Sequence, residues 1–133
     1  MCNCNGNNNL CEVLQVILLL QQNASCSDAC LDSCDRATLG CGTTCVLCNT
    51  RPLMLYSCSS GSTPLSFPIS RAYNETTTSN VFRIEKLDGN TATFRVLVVN
   101  EDDTLTATNS FFTMNLGCLC TLRCMNDTYV ESI

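Results

Sequence analysis

The sequence predicts a mainly β protein, an antiparallel, jelly-roll-like β-sandwich preceded by a short cysteine-rich helical region. Three observations predict it. From Asn49 onward, short segments alternate apolar and polar residues and are separated by turn residues. Before that point the apolar spacing is helical and limited to two short stretches. Thirteen of the 133 residues are cysteine, ten by position 58 and three between Leu116 and Cys124. The sulfur-free middle holds Phe82, Ile84, Phe94, Val96, Val98 and Phe112, which suffice for a core at this length. Disulfides are therefore expected as an addition to a single self-sufficient domain, with an arm over 1–9, a helical region over 10–48 and the sandwich over 49–133.

Met1–Asn9 is Asn-rich, carries Cys2 and Cys4, and lacks periodicity, so a flexible arm is expected. Leu10, Leu14, Ile17 and Leu18 recur at helical spacing, and Val13, Val16 and Leu20 widen the stripe. That arc exceeds what one small core needs, so Leu14, Ile17 and Leu18 are expected to supply apolar contact to a partner subunit. Ser25 or Ser27 suits the cap of a second short helix with Cys26, Cys30 and Cys34 on one face. Gly40 and Gly42 end it.

Pro52–Cys58 reads as a strand with Pro52 at its start or on an edge, and Gly61–Pro68 as a turn-rich connection. Val81–Leu87 and the run through Ala92, Phe94, Val96 and Val98 flank Asp88-Gly89-Asn90, the clearest hairpin signal in the chain. Asn100–Asp103 makes an acidic turn before Thr104–Thr108. Phe112, Met114, Leu116, Cys118, Cys120, Leu122 and Cys124 all fall on even positions. One half-buried strand with a bulge at Gly117 is expected there, turning Cys118, Cys120 and Cys124 toward the interior or an interface.

Charge narrows the partners. Seven basic residues, with Lys86 the sole lysine, against twelve acidic ones give a net charge of −5 without a basic cluster. Nucleic acid and anionic membrane are not expected as partners. The sparse charge instead suits close packing against copies of the same chain. Leu10–Leu20 contains Glu12 and Gln15, lacks a basic lead-in, and is too short to span a bilayer. No export signal is expected, so oxidation would follow assembly or release from a reducing cytosol. The sequons at Asn23, Asn74 and Asn126 read as chance matches in an Asn/Ser/Thr-rich chain.

Several chemistries compete for the sulfur. Cys45-Val-Leu-Cys48 has the spacing of a redox pair, but Asn49-Thr-Arg-Pro52 follows where an activating helix is needed. Cys41, Cys45, Cys48 and Cys58, or Cys26, Cys30 and Cys34 with a fourth thiolate, would supply a zinc site, yet no second C-x-x-C completes the usual pair of knuckles. With no histidine, a cysteine nucleophile lacks its common base, so neither an enzyme nor a cofactor is expected. Disulfide cross-linking remains. Cysteines at i, i+4 on a helix or i, i+2 on a strand point the same way and pair poorly with each other. Cys26, Cys30, Cys34, Cys118, Cys120 and Cys124 therefore need partners on other elements or other chains. An odd total leaves at least one thiol outside closed intramolecular pairs. Cys11 and Cys58 read equally as buried small hydrophobes.

Asn49-Thr-Arg-Pro-Leu-Met-Leu-Tyr56, Phe82-Arg-Ile-Glu85 with Thr93-Phe-Arg-Val-Leu97, the ending Cys118-Leu-Cys-Thr-Leu-Arg-Cys124 and the Met-Cys-Asn-Cys start carry a resemblance. The chain resembles the cysteine-rich spore coat and exosporium proteins of the CotY/CotZ/ExsY type over nearly its whole length. The resemblance implies a self-assembling structural protein, made in the mother-cell cytoplasm and deposited on the spore surface. It further implies a planar lattice locked by intersubunit disulfides and scaffolding other coat proteins. In such a lattice Cys2, Cys4, Cys26, Cys30 and Cys34 are candidates for bonds between subunits. Cys41, Cys45, Cys48, Cys118, Cys120 and Cys124 are further disulfide candidates, with the Cys26–Cys48 group pairing partly with the last three. Two alternatives stay open: a disulfide-linked appendage or filament subunit, and a zinc-stabilised binding module.

Overall fold

A computed structural model of the chain describes residues 9–22, 48–59, 62–131 and 133. The second helix expected after Ser25, and the arm up to residue 8, lie outside the described residues. The elements run α1 (Asn9–Gln22), β1 (Leu53–Ser57), β2 (Phe67–Pro68), β3 (Thr78–Ser79), β4 (Val81–Asp88), β5 (Thr91–Val99), β6 (Leu105–Asn115), a 3-10 turn (Leu116–Cys118) and β7 (Leu119–Cys124). Among the described residues the class is mainly β and antiparallel, as expected, with α1 ahead of the strands.

Five strands pair in the order β6-β5-β4-β1-β7, and β2 and β3 form a separate ribbon. β6 and β7 are thus opposite edges, yet only Leu116–Cys118 separates them. Flat, five strands about 4.8 Å apart would set those edges about 19 Å from each other. The four peptide steps from Asn115 to Leu119 reach at most about 14 Å. The sheet must therefore curl. β1 meets β4 at a single register pair, Leu53↔Phe82, which lets the β1–β7 pair splay away and close over the core.

The hairpin turn follows its local signal. Gly89 sits at φ +62° with no side chain to clash, as a two-residue loop between β4 and β5 requires. On one face Leu53, Leu55, Phe82, Ile84, Ala92, Phe94 and Val96 join Leu116 and Leu119 in the main core. α1 covers this face with Cys11, Leu14 and Ile17, spaced three apart and fully or nearly fully buried. Phe67 of the ribbon stacks on Phe112 at 3.9 Å between centroids. On the opposite face Val81, Leu97 and Val130 form a smaller cluster.

A bulge in the β4–β5 hairpin does specific work. The β4–β5 register shifts between Ile84 and Lys86, leaving Glu85 as the extra residue. A bulge re-aims its side chain, and Glu85 bridges Arg83 and Arg95, each at 2.8 Å. The freed Ile84 carbonyl accepts from Gln21 Nε2 at 2.9 Å, and Gln21 Oε1 accepts from the Arg51 backbone N–H at 3.0 Å. One buried amide thus fastens the last turn of α1 to the sheet. Gln21→Leu keeps the volume but strands both backbone groups. It is expected to cost about 2 kcal/mol in urea unfolding, and a loss below about 0.5 kcal/mol would refute the clamp.

Candidate cross-linking surface

β7 joins the sheet through β1, running Leu53↔Cys124, Met54↔Arg123, Leu55↔Leu122 and Tyr56↔Thr121 before slipping to Ser57↔Leu119. The slip leaves Cys120 as the extra residue, beside the end of β1. There it forms a disulfide with Cys58, with Cα atoms 4.9 Å apart. The Cys58 N–H also donates to the Cys118 carbonyl at 3.0 Å. Both bonded cysteines are exposed. Cys118, in the 3-10 turn, and Cys124, at the end of β7, are exposed free thiols. No strand among the described residues pairs with the outer edge of β7.

The base of β7 is held by the segment leading into β1. Asn49 Nδ2 donates to the Val130 carbonyl and its Oδ1 accepts from the Val130 N–H, both at 2.9 Å. Thr50 Oγ1 accepts from Arg83 Nε at 3.0 Å. Met125 N–H donates to the Pro52 carbonyl at 2.8 Å. Arg51 makes a two-pronged pair with Asp127 at 2.7 and 2.9 Å. Asn49, Thr50, Arg51 and Pro52 thus fix where β7 and the tail lie, and with them Cys124.

The Arg51 hydrogen bond holds the Asp127 carboxyl below its ordinary range, and Asp127 in turn raises Arg51. A carboxyl with a lowered folded-state pKa favours folding while ionised. Its contribution is full above the unfolded value, about 4, and is lost as pH falls through the folded value. Wild type should therefore lose more stability below about pH 4 than Asp127→Asn does. The difference stays below about 1 kcal/mol because the pair is solvent-screened. Melting curves from pH 7 to pH 2.5 check this, and parallel curves would remove the pair from the design.

The sequence-derived candidates divide clearly. Cys2, Cys4, Cys26, Cys30, Cys34, Cys41 and Cys45 lie outside the described residues. Cys48 is half-buried ahead of β1. Leu14 and Ile17, expected at a subunit contact, instead pack in the chain's own core, and Leu18 is half-buried against it. The apolar residues of α1 left exposed are Val13, Val16, Leu19 and Leu20. Cys118, Cys120 and Cys124 are all exposed: the 3-10 turn puts Leu119 in the core between the first two, Cys120 is the extra residue of the bulge, and beyond it Leu122 again packs on the core while Cys124 ends the strand in solvent. Cys120 bonds to Cys58, not to the Cys26–Cys48 group. Of the two cysteines that also read as plain hydrophobes, both are disulfide-bonded. Cys11 is fully buried, and its Sγ lies 3.8 Å from the Gly89 carbonyl. Their only sequence signal was their residue type. Among the described residues no helix is long and apolar enough to cross a membrane.

A curled β-sheet that staples its own edge and still presents thiols there defines a cysteine-rich structural protein. The family model for spore coat protein Z matches residues 2–107, and the chain belongs to that family. It is accordingly a structural protein of the spore coat, placed at the spore surface and assembling with other coat components. The match ends before β7, so Cys118, Cys120 and Cys124 lie beyond it. No curated protein and no solved structure matches the chain.

Proposed function

We propose that this coat protein self-associates into a lattice of the exosporium or outer coat and is then locked by disulfides between subunits. The observation that supports this best is the pair of exposed thiols, Cys118 just before and Cys124 at the end of an edge strand that already has its staple. The Cys58–Cys120 bond closes a loop of 62 residues and contributes about 4 kcal/mol on a chain-entropy estimate. Cys118 and Cys124 take no part in that staple. Bonds between chains would make assembly irreversible without reductant even where each contact is weak. Cys2, Cys4, Cys26, Cys30 and Cys34 are additional candidates for such bonds, and Val13, Val16, Leu19 and Leu20 offer an apolar surface beside them in sequence. Synthesis in the mother-cell cytoplasm, before oxidation, fits this order of events.

Gels of boiled, air-oxidised assemblies test it. Wild type is expected to give a high-mass ladder that collapses with reductant. Cys118→Ser/Cys124→Ser and Cys2→Ser/Cys4→Ser should each shorten it. Wild type running as a monomer without reductant would overturn the proposal.

A further inference from the structure

We propose that the Cys58–Cys120 disulfide is a transferable cross-link, opened by an exposed thiol flanking it along the chain, Cys118 or Cys124, of a second copy of this chain. The inference rests on the disulfide-locked assembly proposed above and supplies its chemistry. Three placements carry it. Both bonded cysteines are exposed residues, and the bond lies at a bulge of an edge strand that no described strand covers. Exposed disulfides are the exchange-labile ones. Two exposed thiols share that short stretch, Cys118 two residues before Cys120 and Cys124 four after it. Every copy therefore carries the attacking group and the bond to be attacked on the same surface.

In the step, a Cys118 or Cys124 thiolate of one subunit bonds to Cys120 Sγ of its neighbour. The Cys58–Cys120 bond breaks, and its electron pair leaves on Cys58 Sγ, which takes up the proton the attacker lost. One disulfide is exchanged for another, so nothing is oxidised overall and no oxidant is required. The released Cys58 thiol is itself exposed and able to attack the next copy. Once the intrachain bonds have formed, cross-linking could then spread through a layer without further oxidant.

The test uses wild-type monomer with its intrachain disulfide intact, held without oxygen and with a chelator. A reductant-sensitive ladder should grow while titratable thiols per chain stay constant. Cys58→Ser/Cys120→Ser should lose that ladder but still cross-link once oxidant is added. If that variant fails to fold, alkylating the free thiols of wild type should abolish the ladder and leave the disulfide in place. Exchange is overturned if wild type stays monomeric until oxidant is supplied and each new link consumes a pair of thiols. It is equally overturned if the double variant cross-links without oxidant at the wild-type rate. Failure to cross-link even with oxidant would instead sink the lattice reading beneath it.

Discussion

Phe82→Ala is expected to lower the free energy of unfolding by about 3–5 kcal/mol, a larger loss than Gln21→Leu should cause. Phe82 is fully buried and meets Leu53 across β1 and Val96 across β5. Its ring lies edge-on to Phe112 at 4.8 Å and to Phe67 at 5.9 Å. Phe112 also stacks on Phe94 at 5.3 Å. Removing Phe82 opens a cavity bounded by ribbon, hairpin and β6, and it falls at the only register pair joining β1 to β4. The β1–β7 pair should loosen with it, so Cys124 should become more reactive toward alkylating reagents. Urea unfolding measures the first effect and alkylation rates the second. A cost below about 1 kcal/mol would mean that the aromatic cluster is not the centre of the core.

Glu85→Ala is expected to cost about 3 kcal/mol. Arg83 and Arg95 face each other directly in the β4–β5 register, an arrangement that repels unless a charge intervenes. Glu85 supplies that charge to both, with Arg83 only 8% and Arg95 16% exposed at the side chain. The arginines have further partners. Arg83 donates to Thr50 and to the Asn49 carbonyl, while Arg95 donates to the Thr108 carbonyl and lies over the Phe111 ring at 4.5 Å. Those contacts keep both side chains in place once Glu85 is gone, leaving two cations with no counter-ion. Replacing Arg83 and Glu85 together by apolar residues of similar volume should cost much less than Glu85→Ala alone, since burying an ion pair roughly balances its attraction. Equal losses in the two variants would show that packing, and not charge, dominates there.

What the sequence disclosed was local. The β4–β5 hairpin was legible because its alternation and the Asp88-Gly89-Asn90 turn are encoded within a few adjacent residues. The bulge at Glu85 was not, because alternation continues on either side of it and only the partner strand reveals the extra residue. Phe112 to Cys124 read as one strand because its even-position pattern runs unbroken through Leu116–Cys118. A single 3-10 turn there transfers the chain from one edge of the sheet to the other and resets which side chains are buried. Gln21 and Asn49 carried no readable signal: their amides matter only because distant backbone groups arrive beside them. Cysteine geometry was partly legible. The rule that strand neighbours two apart seek partners elsewhere holds for Cys120, but Cys58 as its partner depends on strand order, which no local pattern specifies. The helical stripe gave α1 correctly but not which of its apolar residues turn outward: Leu14 and Ile17, expected at a subunit contact, are in the chain's own core, and Val13, Val16, Leu19 and Leu20 are exposed.

The most direct test mixes subunits grown on ordinary and on nitrogen-heavy medium, allows them to assemble and oxidise together, and maps the disulfide-linked peptides by mass. If sulfur joins separate chains, linked pairs containing one light and one heavy peptide will appear, among them pairs that include Cys118 or Cys124. If every linked pair carries a single label, all the bonds close within their own chain and the protein is not a cross-linked wall.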